Sequence, residues 1–166
     1  MNAWLAVKNI LFAILVPGSV AGYVPYLLLR RSGDLCRPPI SALTIIAVTI
    51  GLLGIGIAVH CIWGFAVHGQ GTPAPFDPPK KLVARGMYRH MRNPMYTGIL
   101  LILTGETMLF TNRDMLIYAI AVAAGFHLYV LLFEEPRLRK RFGESYNEYC
   151  RTVPRWGFRR RPQELR

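Results

Sequence analysis

Four long apolar segments constrain the fold of this chain more than any other feature of its sequence. They are residues 3–29, 40–67, 95–110 and 115–133. The Asp, Glu, Lys, Arg and His residues inside them are Lys8, His60, Glu106 and His127. A helix needs roughly 20 apolar residues to cross a bilayer core. The sequence therefore predicts one all-α domain over residues 1–166, an integral membrane bundle of about four transmembrane helices. The shorter third segment is predicted to form a hairpin with the fourth, turned at residues 111–114.

The positive charge of the chain is placed unevenly along it. The net charge is +11, with five basic residues between the second and third segments, ten after residue 133 and three in the first loop. With four crossings, the two regions that have the most basic residues lie on the same side of the membrane as both termini. The positive-inside rule predicts that this side is cytoplasmic. Basic groups at that surface attract anionic lipid headgroups. We therefore expect membrane lipids as partners and no nucleic acid.

Common soluble-enzyme motifs are absent. The three cysteines have no disulfide or metal-ligand spacing, and the sequence has neither a zinc-protease motif nor a phosphate-binding P-loop. We expect no metal cofactor, and nothing in the sequence specifies an oligomeric state.

A proline-rich loop at residues 69–81 follows the second apolar segment. Its prolines and glycines exclude a regular helix or a central strand. Two interpretations remain open, a flexible connector or an extended segment that lies across a pocket at the membrane face.

The sequence RGMYRHMRNPMYTG (85–98) places Arg, Tyr and Gly at the start of the third segment. Pro94 suits the first position of a helix, and Asn93 suits its N-cap. A helix N-terminus with arginines nearby favours an anion. The alternative is an interfacial belt, in which Tyr and Arg anchor the helix end.

Two adjacent acids, Glu134 and Glu135, mark the end of the fourth segment, where a carboxylate is costly unless it is solvated or paired. Pro136 predicts a bend in the chain. After it, Leu138, Phe142, Tyr146 and Tyr149 recur at helical spacing and would form one apolar face. This pattern predicts an amphipathic cytosolic helix over residues 137–150. We expect these elements and the start of the third helix to converge on one side of the membrane.

Three sequence patterns together carry a family resemblance. They are L-V-x-x-G-x-Y-x-x-x-R-N-P-x-Y-x-G (82–98), E-E-P-x-L (134–138) and F-G-E-x-Y-x-x-Y-x-x-x-V-P-R (142–155). In order and spacing they resemble the isoprenylcysteine carboxyl methyltransferase family, which belongs with membrane phospholipid methyltransferases. The resemblance places the catalytic half of the domain at about residues 69–156.

The resemblance implies S-adenosyl-L-methionine as cofactor, bound at the cytosolic face. The positions matching the family's cofactor site are Lys80, Lys81, Leu82, Val83, Tyr88, Asn93, Pro94, Met95, Tyr96 and Glu134. Catalytic roles are expected for Arg92, Asn93 and Glu134, and substrate contacts for His127 and Glu135.

The chain departs from the family pattern at two positions. Asn93 stands where the family has His, and it keeps a hydrogen-bonding side chain without a titratable proton. Val130 replaces an arginine expected to hold the substrate carboxylate, which weighs against isoprenylcysteine itself as the substrate. His127 could face the same pocket or form a helix–helix hydrogen bond. Glu106 is either functional or reaches the outer interface.

The expected function is transfer of a methyl group from S-adenosylmethionine to a lipid-like or isoprenylcysteine-like acceptor. Two alternatives remain. One is an NADPH-dependent membrane reductase of the sterol type, which is similar around R-x-P-x-Y. The other is a non-catalytic membrane protein with the same fold.

Overall fold

Within the described residues the chain is mostly helical and contains no strand. The computed structural model describes residues 3–34, 40–68 and 86–159. The α-helices are α1 (Ala3–Leu15), α2 (Val24–Ser32), α3 (Ala42–His68), α4 (Pro94–Phe110), α5 (Arg113–Tyr129), α6 (Glu135–Phe142) and α7 (Glu144–Thr152). Two π-helical turns, Ser19–Tyr23 and Val130–Glu134, and a 3₁₀ turn, Gly86–Arg89, lie between them. The predicted all-α class is confirmed.

Three helical runs in the described ranges are long and apolar enough to cross a membrane. They are Leu11–Ser32, Ala42–Gly64 and Arg113–Phe142. Helix α4 is apolar but has only 17 residues. The prediction of several long apolar helices is therefore confirmed, and a fourth crossing by α4 stays a prediction.

Helices α3 and α4 pack with their backbones almost in contact. A Cβ atom added at Gly54 would lie 2.5 Å from the carbonyl oxygen of Gly98. A Cβ atom at Gly105 would lie 2.6 Å from the carbonyl oxygen of Ala47. Small residues let membrane helices approach closely enough to gain van der Waals contact along their length. This contact fixes α4, whose first residues belong to the candidate site.

The predicted hairpin between the last two apolar segments is confirmed, with a connection of only Thr111 and Asn112. Thr111 takes the left-handed conformation at the end of α4. Asn112 caps α5 by accepting a hydrogen bond from the amide of Met115 at 3.0 Å. Its Nδ2 also donates to Asp34 Oδ2 at 2.6 Å, which ties the hairpin to the end of α2. The tight turn places the start of α4 and the end of α5 at the same end of the bundle.

The helical run continues through Pro136, from Arg113 to Phe142, and a bend of its axis there stays a prediction. The π-helical turn Val130–Glu134 ends directly before α6, so the missing N–H of Pro136 falls in the first turn of α6, where a proline is tolerated. The single helix predicted over 137–150 is wrong. It is divided into α6 and α7 at Gly143, where φ is 55°.

The C-terminal helices nevertheless bury the face that the sequence predicts. Tyr146, Tyr149 and Val153 form a buried cluster, against which Leu138 and Phe142 pack. The apolar residues of α6 and α7 thus pack against each other across the Gly143 break. This packing stabilises both helices, because each is too short to be stable alone in water.

Candidate functional site

Asn93 immediately precedes α4, the position that the sequence predicts for the N-cap. Its side chain does not cap the helix. It donates instead from Nδ2 to the carbonyl oxygen of Arg155 at 3.1 Å. The first amides of α4 have no carbonyl partner within the helix. The positive end of the helix dipole therefore remains suited to an anionic group.

Tyr96, in the first turn of α4, forms a hydrogen bond with Glu134. The hydroxyl of Tyr96 donates to Glu134 Oε2 at 2.9 Å. The ring of Tyr96 packs against Phe126 of α5, with the ring centroids 4.7 Å apart. Glu134 is thus oriented by a hydrogen bond to one of its two oxygens.

Glu135 has a different environment from its neighbour. Its Oε1 accepts from Arg92 Nη1 at 2.8 Å and from Arg155 Nε at 2.6 Å, and its Oε2 accepts from Arg155 Nη2 at 2.9 Å. Arg139 lies 3.5 Å from Oε2. Because Glu135 is 2% exposed, these guanidinium groups are what makes its burial as a carboxylate tolerable.

The C-terminal segment, residues 153–159, crosses the start of α4. The amide of Arg92 donates to the carbonyl oxygen of Pro154 at 2.9 Å, and the amide of Arg159 donates to that of His90 at 3.0 Å. The rings of His90 and Phe158 are stacked, with centroids 4.4 Å apart. The residues that precede α4 and the C-terminal segment are therefore joined by backbone as well as side-chain contacts.

Tyr88 lies between α3 and α7. Its ring packs against the buried cluster of Phe12, Cys61 and Met95, and its carbonyl oxygen accepts from the hydroxyl of Tyr149 at 2.7 Å. Burial raises the pKa of the Tyr88 phenol well above its usual range, and it also raises the pKa of Tyr149. Both phenols therefore stay protonated near neutral pH and act as neutral groups.

His127 contacts the C-terminal segment. The indole nitrogen of Trp156 donates to His127 Nδ1 at 3.1 Å. This bond joins a helix to the C-terminal segment, so it differs from the helix–helix bond considered from the sequence. Val130 is 1% exposed, and Glu106 lies in α4 with a buried Oε2 that has no hydrogen-bond partner among the described residues.

The predicted site residues thus fall into separate groups. Tyr96 and Glu134 contact each other beside Asn93 and the first residues of α4, Pro94 and Met95. Arg92 and Glu135 pair with each other, and His127 faces Trp156. The predicted residues Lys80, Lys81, Leu82 and Val83 lie outside the described residues. No group of three or more His, Cys, Asp or Glu residues within the described ranges could hold a metal ion.

Sequence reasoning assigned no role to Arg155 or Trp156, and it placed Tyr149 on an apolar face without its hydrogen bond to Tyr88. Arg155 belongs to the V-P-R pattern, so a signal was present. Its partner was not readable, because several arginines lie close to it in the sequence.

Comparison with known proteins finds a matching family and curated relatives for part of the chain. A family model described as phospholipid methyltransferase matches residues 42–145. Protein-S-isoprenylcysteine O-methyltransferase B of Arabidopsis thaliana is 35% identical over 74 residues, which are 45% of this chain and 38% of that protein. A probable protein-S-isoprenylcysteine O-methyltransferase of Oryza sativa subsp. indica is 32% identical over 78 residues, which are 47% of this chain and 41% of that protein. The matches therefore span well under half the length of these curated relatives. No solved structure matches the chain.

Proposed function

This chain belongs to the phospholipid methyltransferase family, and on that premise we propose that it is an integral membrane methyltransferase that uses S-adenosylmethionine. The observation that carries the proposal is the Tyr96–Glu134 pair beside the N-terminus of α4. This arrangement offers a carboxylate oxygen and a positive helix end close together, which suits a ligand with both an ammonium and a carboxylate group.

The residues present fit this cofactor. Glu134 would hold the ammonium group, and the first amides of α4, at Met95 and Tyr96, would hold the carboxylate. Tyr88 would supply an aromatic wall, and the predicted residues at 80–83 would complete the binding site. When bound, S-adenosylmethionine supplies an electrophilic methyl group on a sulfonium.

The side chains of this protein would mainly position the reactants. Tyr96 fixes the carboxylate of Glu134 through a hydrogen bond. Arg92 and Arg155 neutralise Glu135 and hold the C-terminal segment over the start of α4. Such positioning lowers the entropy cost of bringing two reactants into contact. In this arrangement Asn93 and Arg92 hold the C-terminal segment in position, while Glu134 contacts the cofactor.

The proposed acceptor is a lipid-like or isoprenylcysteine-like molecule that enters from the bilayer. Leu131, Leu132 and Phe133 lie directly before Glu134 and are exposed on the surface of the bundle. An apolar chain could therefore lie along this surface while its polar end reaches the site. The relatives' names support an isoprenylcysteine acceptor, and the family description supports a phospholipid. The excess of basic residues supports a cytoplasmic location for this end of the bundle.

A direct test is transfer of a radiolabelled methyl group. The purified protein in lipid nanodiscs is incubated with labelled S-adenosylmethionine and either a farnesylcysteine analogue or phosphatidylethanolamine. We expect label in one of these organic-soluble products, and loss of nearly all of it in Glu134→Gln. The control Glu148→Gln removes an exposed acid from α7 and should retain activity. Absence of transfer to either acceptor class by folded protein would contradict the proposal.

A further inference from the structure

Helix α6 presents three cations on one face. Arg137, Lys140 and Arg141 occupy positions i, i+3 and i+4, which are neighbours on a helix surface. All three are exposed, and none forms an ion pair with a carboxylate in the described part of the chain. We call these three residues the α6 basic face.

The rest of α6 is occupied by internal contacts. Leu138 and Phe142 pack against the cluster of Tyr146, Tyr149 and Val153. Arg139 pairs with Glu135 at 3.5 Å. The orientation of α6 is therefore fixed by its other residues, and the basic face is left available for a partner.

The location of this face relative to the bilayer follows from the unbroken helical run Arg113–Phe142. Leu132 and Phe133, exposed by 58% and 53%, lie on the outside of the run. Arg137 follows Phe133 by four residues, which is about 6 Å along a helix. Exposed apolar groups mark the hydrocarbon region, and cations one turn further lie at the depth of lipid phosphates.

The only exposed acids of the adjoining helix α7 are Glu144 and Glu148, and Glu144 pairs with Arg151 at 3.7 Å. The acids closest in sequence to the basic face on its own helical run, Glu134 and Glu135, are bound to Tyr96 and to arginines. Few carboxylates therefore compete for the three cations.

We propose that the α6 basic face binds the headgroup phosphates of anionic phospholipids in the surrounding bilayer. Guanidinium groups match phosphate oxygens in geometry, and a lysine adds a mobile positive charge. Each basic residue near an anionic membrane surface adds to lipid attraction. This binding is separate from methyl transfer and requires neither cofactor nor acceptor.

The test measures lipid selectivity by electron paramagnetic resonance. The full chain is reconstituted in phosphatidylcholine vesicles with a trace of spin-labelled phosphatidylglycerol or spin-labelled phosphatidylcholine, and the motionally restricted fraction of each lipid is compared. We expect a preference for phosphatidylglycerol that weakens at high salt, because salt screens charges. Arg137→Gln/Lys140→Gln should lower this preference by roughly threefold or more.

Two further variants make the result decisive. Arg137→Lys/Lys140→Arg keeps both charges and should keep the preference, which guards against a folding artefact. Arg151→Gln/Arg159→Gln removes two charges that already have partners, Glu144 for Arg151 and the carbonyl oxygen of Thr152 for Arg159, and should change the preference little. No preference in the wild type, no change in Arg137→Gln/Lys140→Gln, or an equal loss in Arg151→Gln/Arg159→Gln would overturn the proposal. An equal loss would assign the effect to overall positive charge.

Discussion

Glu134 and Glu135 are adjacent in the sequence, yet their side chains meet different partners. Successive residues of a helix point about 100° apart, so two neighbours can serve two surfaces. Glu134 is bound on one oxygen by Tyr96, and Glu135 is buried among arginines of the α4 start and the C-terminal segment. We therefore propose that Glu134 is the carboxylate that binds the ligand, whereas Glu135 holds the site together.

The substitution Glu135→Gln should destabilise the protein because it leaves Arg92 and Arg155 without their carboxylate. Breaking a buried ion pair by removing one partner costs about 3–5 kcal/mol, and we expect about 3 kcal/mol because Arg155 is 27% exposed. The measurement is the free energy of unfolding in detergent. Glu144→Gln breaks an exposed pair with Arg151 and should cost less than about 1 kcal/mol. Equal effects of the two substitutions would contradict a structural role for Glu135.

The packing of helix α3 against helix α4 positions the residues of the candidate site. The contact between Gly54 and Gly98 brings the two backbones together, and the short hairpin then returns α5 toward the same end. The position of Tyr96 relative to Glu134 depends on both features. A substitution in the α3–α4 contact should therefore shift Tyr96 relative to Glu134, although it replaces no residue of the site.

Gly54→Ala should lower the stability of the bundle, because its Cβ would meet the Gly98 carbonyl and α4 would have to move. Overpacking of this kind costs about 1–3 kcal/mol. Gly56→Ala is the matched control, since a Cβ there meets nothing within 4 Å. It should be neutral or slightly stabilising, because alanine favours helix more than glycine does. Thermal unfolding of both variants checks this, and a Gly54→Ala protein as stable as Gly56→Ala would refute the packing account.

The helices were predictable from the sequence, and the way they continue into one another was not. The lengths of the apolar segments predicted the long helices, and the polar residues 111–114 predicted the hairpin. The π-helical turn at Val130–Glu134 has no periodicity signal, so the sequence did not predict that the helical run continues through Pro136. The ion cluster was not readable either, because Glu135 pairs with Arg92 and Arg155, which lie 43 and 20 residues away and resemble several other arginines.

At the scale of the whole molecule, the site lies where three distant parts of the chain meet. The start of α4, the end of the α5 helical run and the C-terminal segment are joined by the contacts of Asn93, Tyr96 and Glu135. The family match covers residues 42–145 and thus includes the first two of these parts. The central claim is that this junction forms an S-adenosylmethionine site at one end of a membrane bundle.

Calorimetric titration of the detergent-purified chain with S-adenosylhomocysteine, with NADPH in parallel, tests this claim most directly. We expect wild type and the control Glu148→Gln to bind S-adenosylhomocysteine equally. Glu134→Gln should bind it at least roughly tenfold more weakly, because a charge-assisted hydrogen bond contributes about 1.5–3 kcal/mol. NADPH should give no heat of binding. Folded wild-type protein that fails to bind S-adenosylhomocysteine, or a Glu134→Gln variant that binds it as tightly as wild type, would contradict the account.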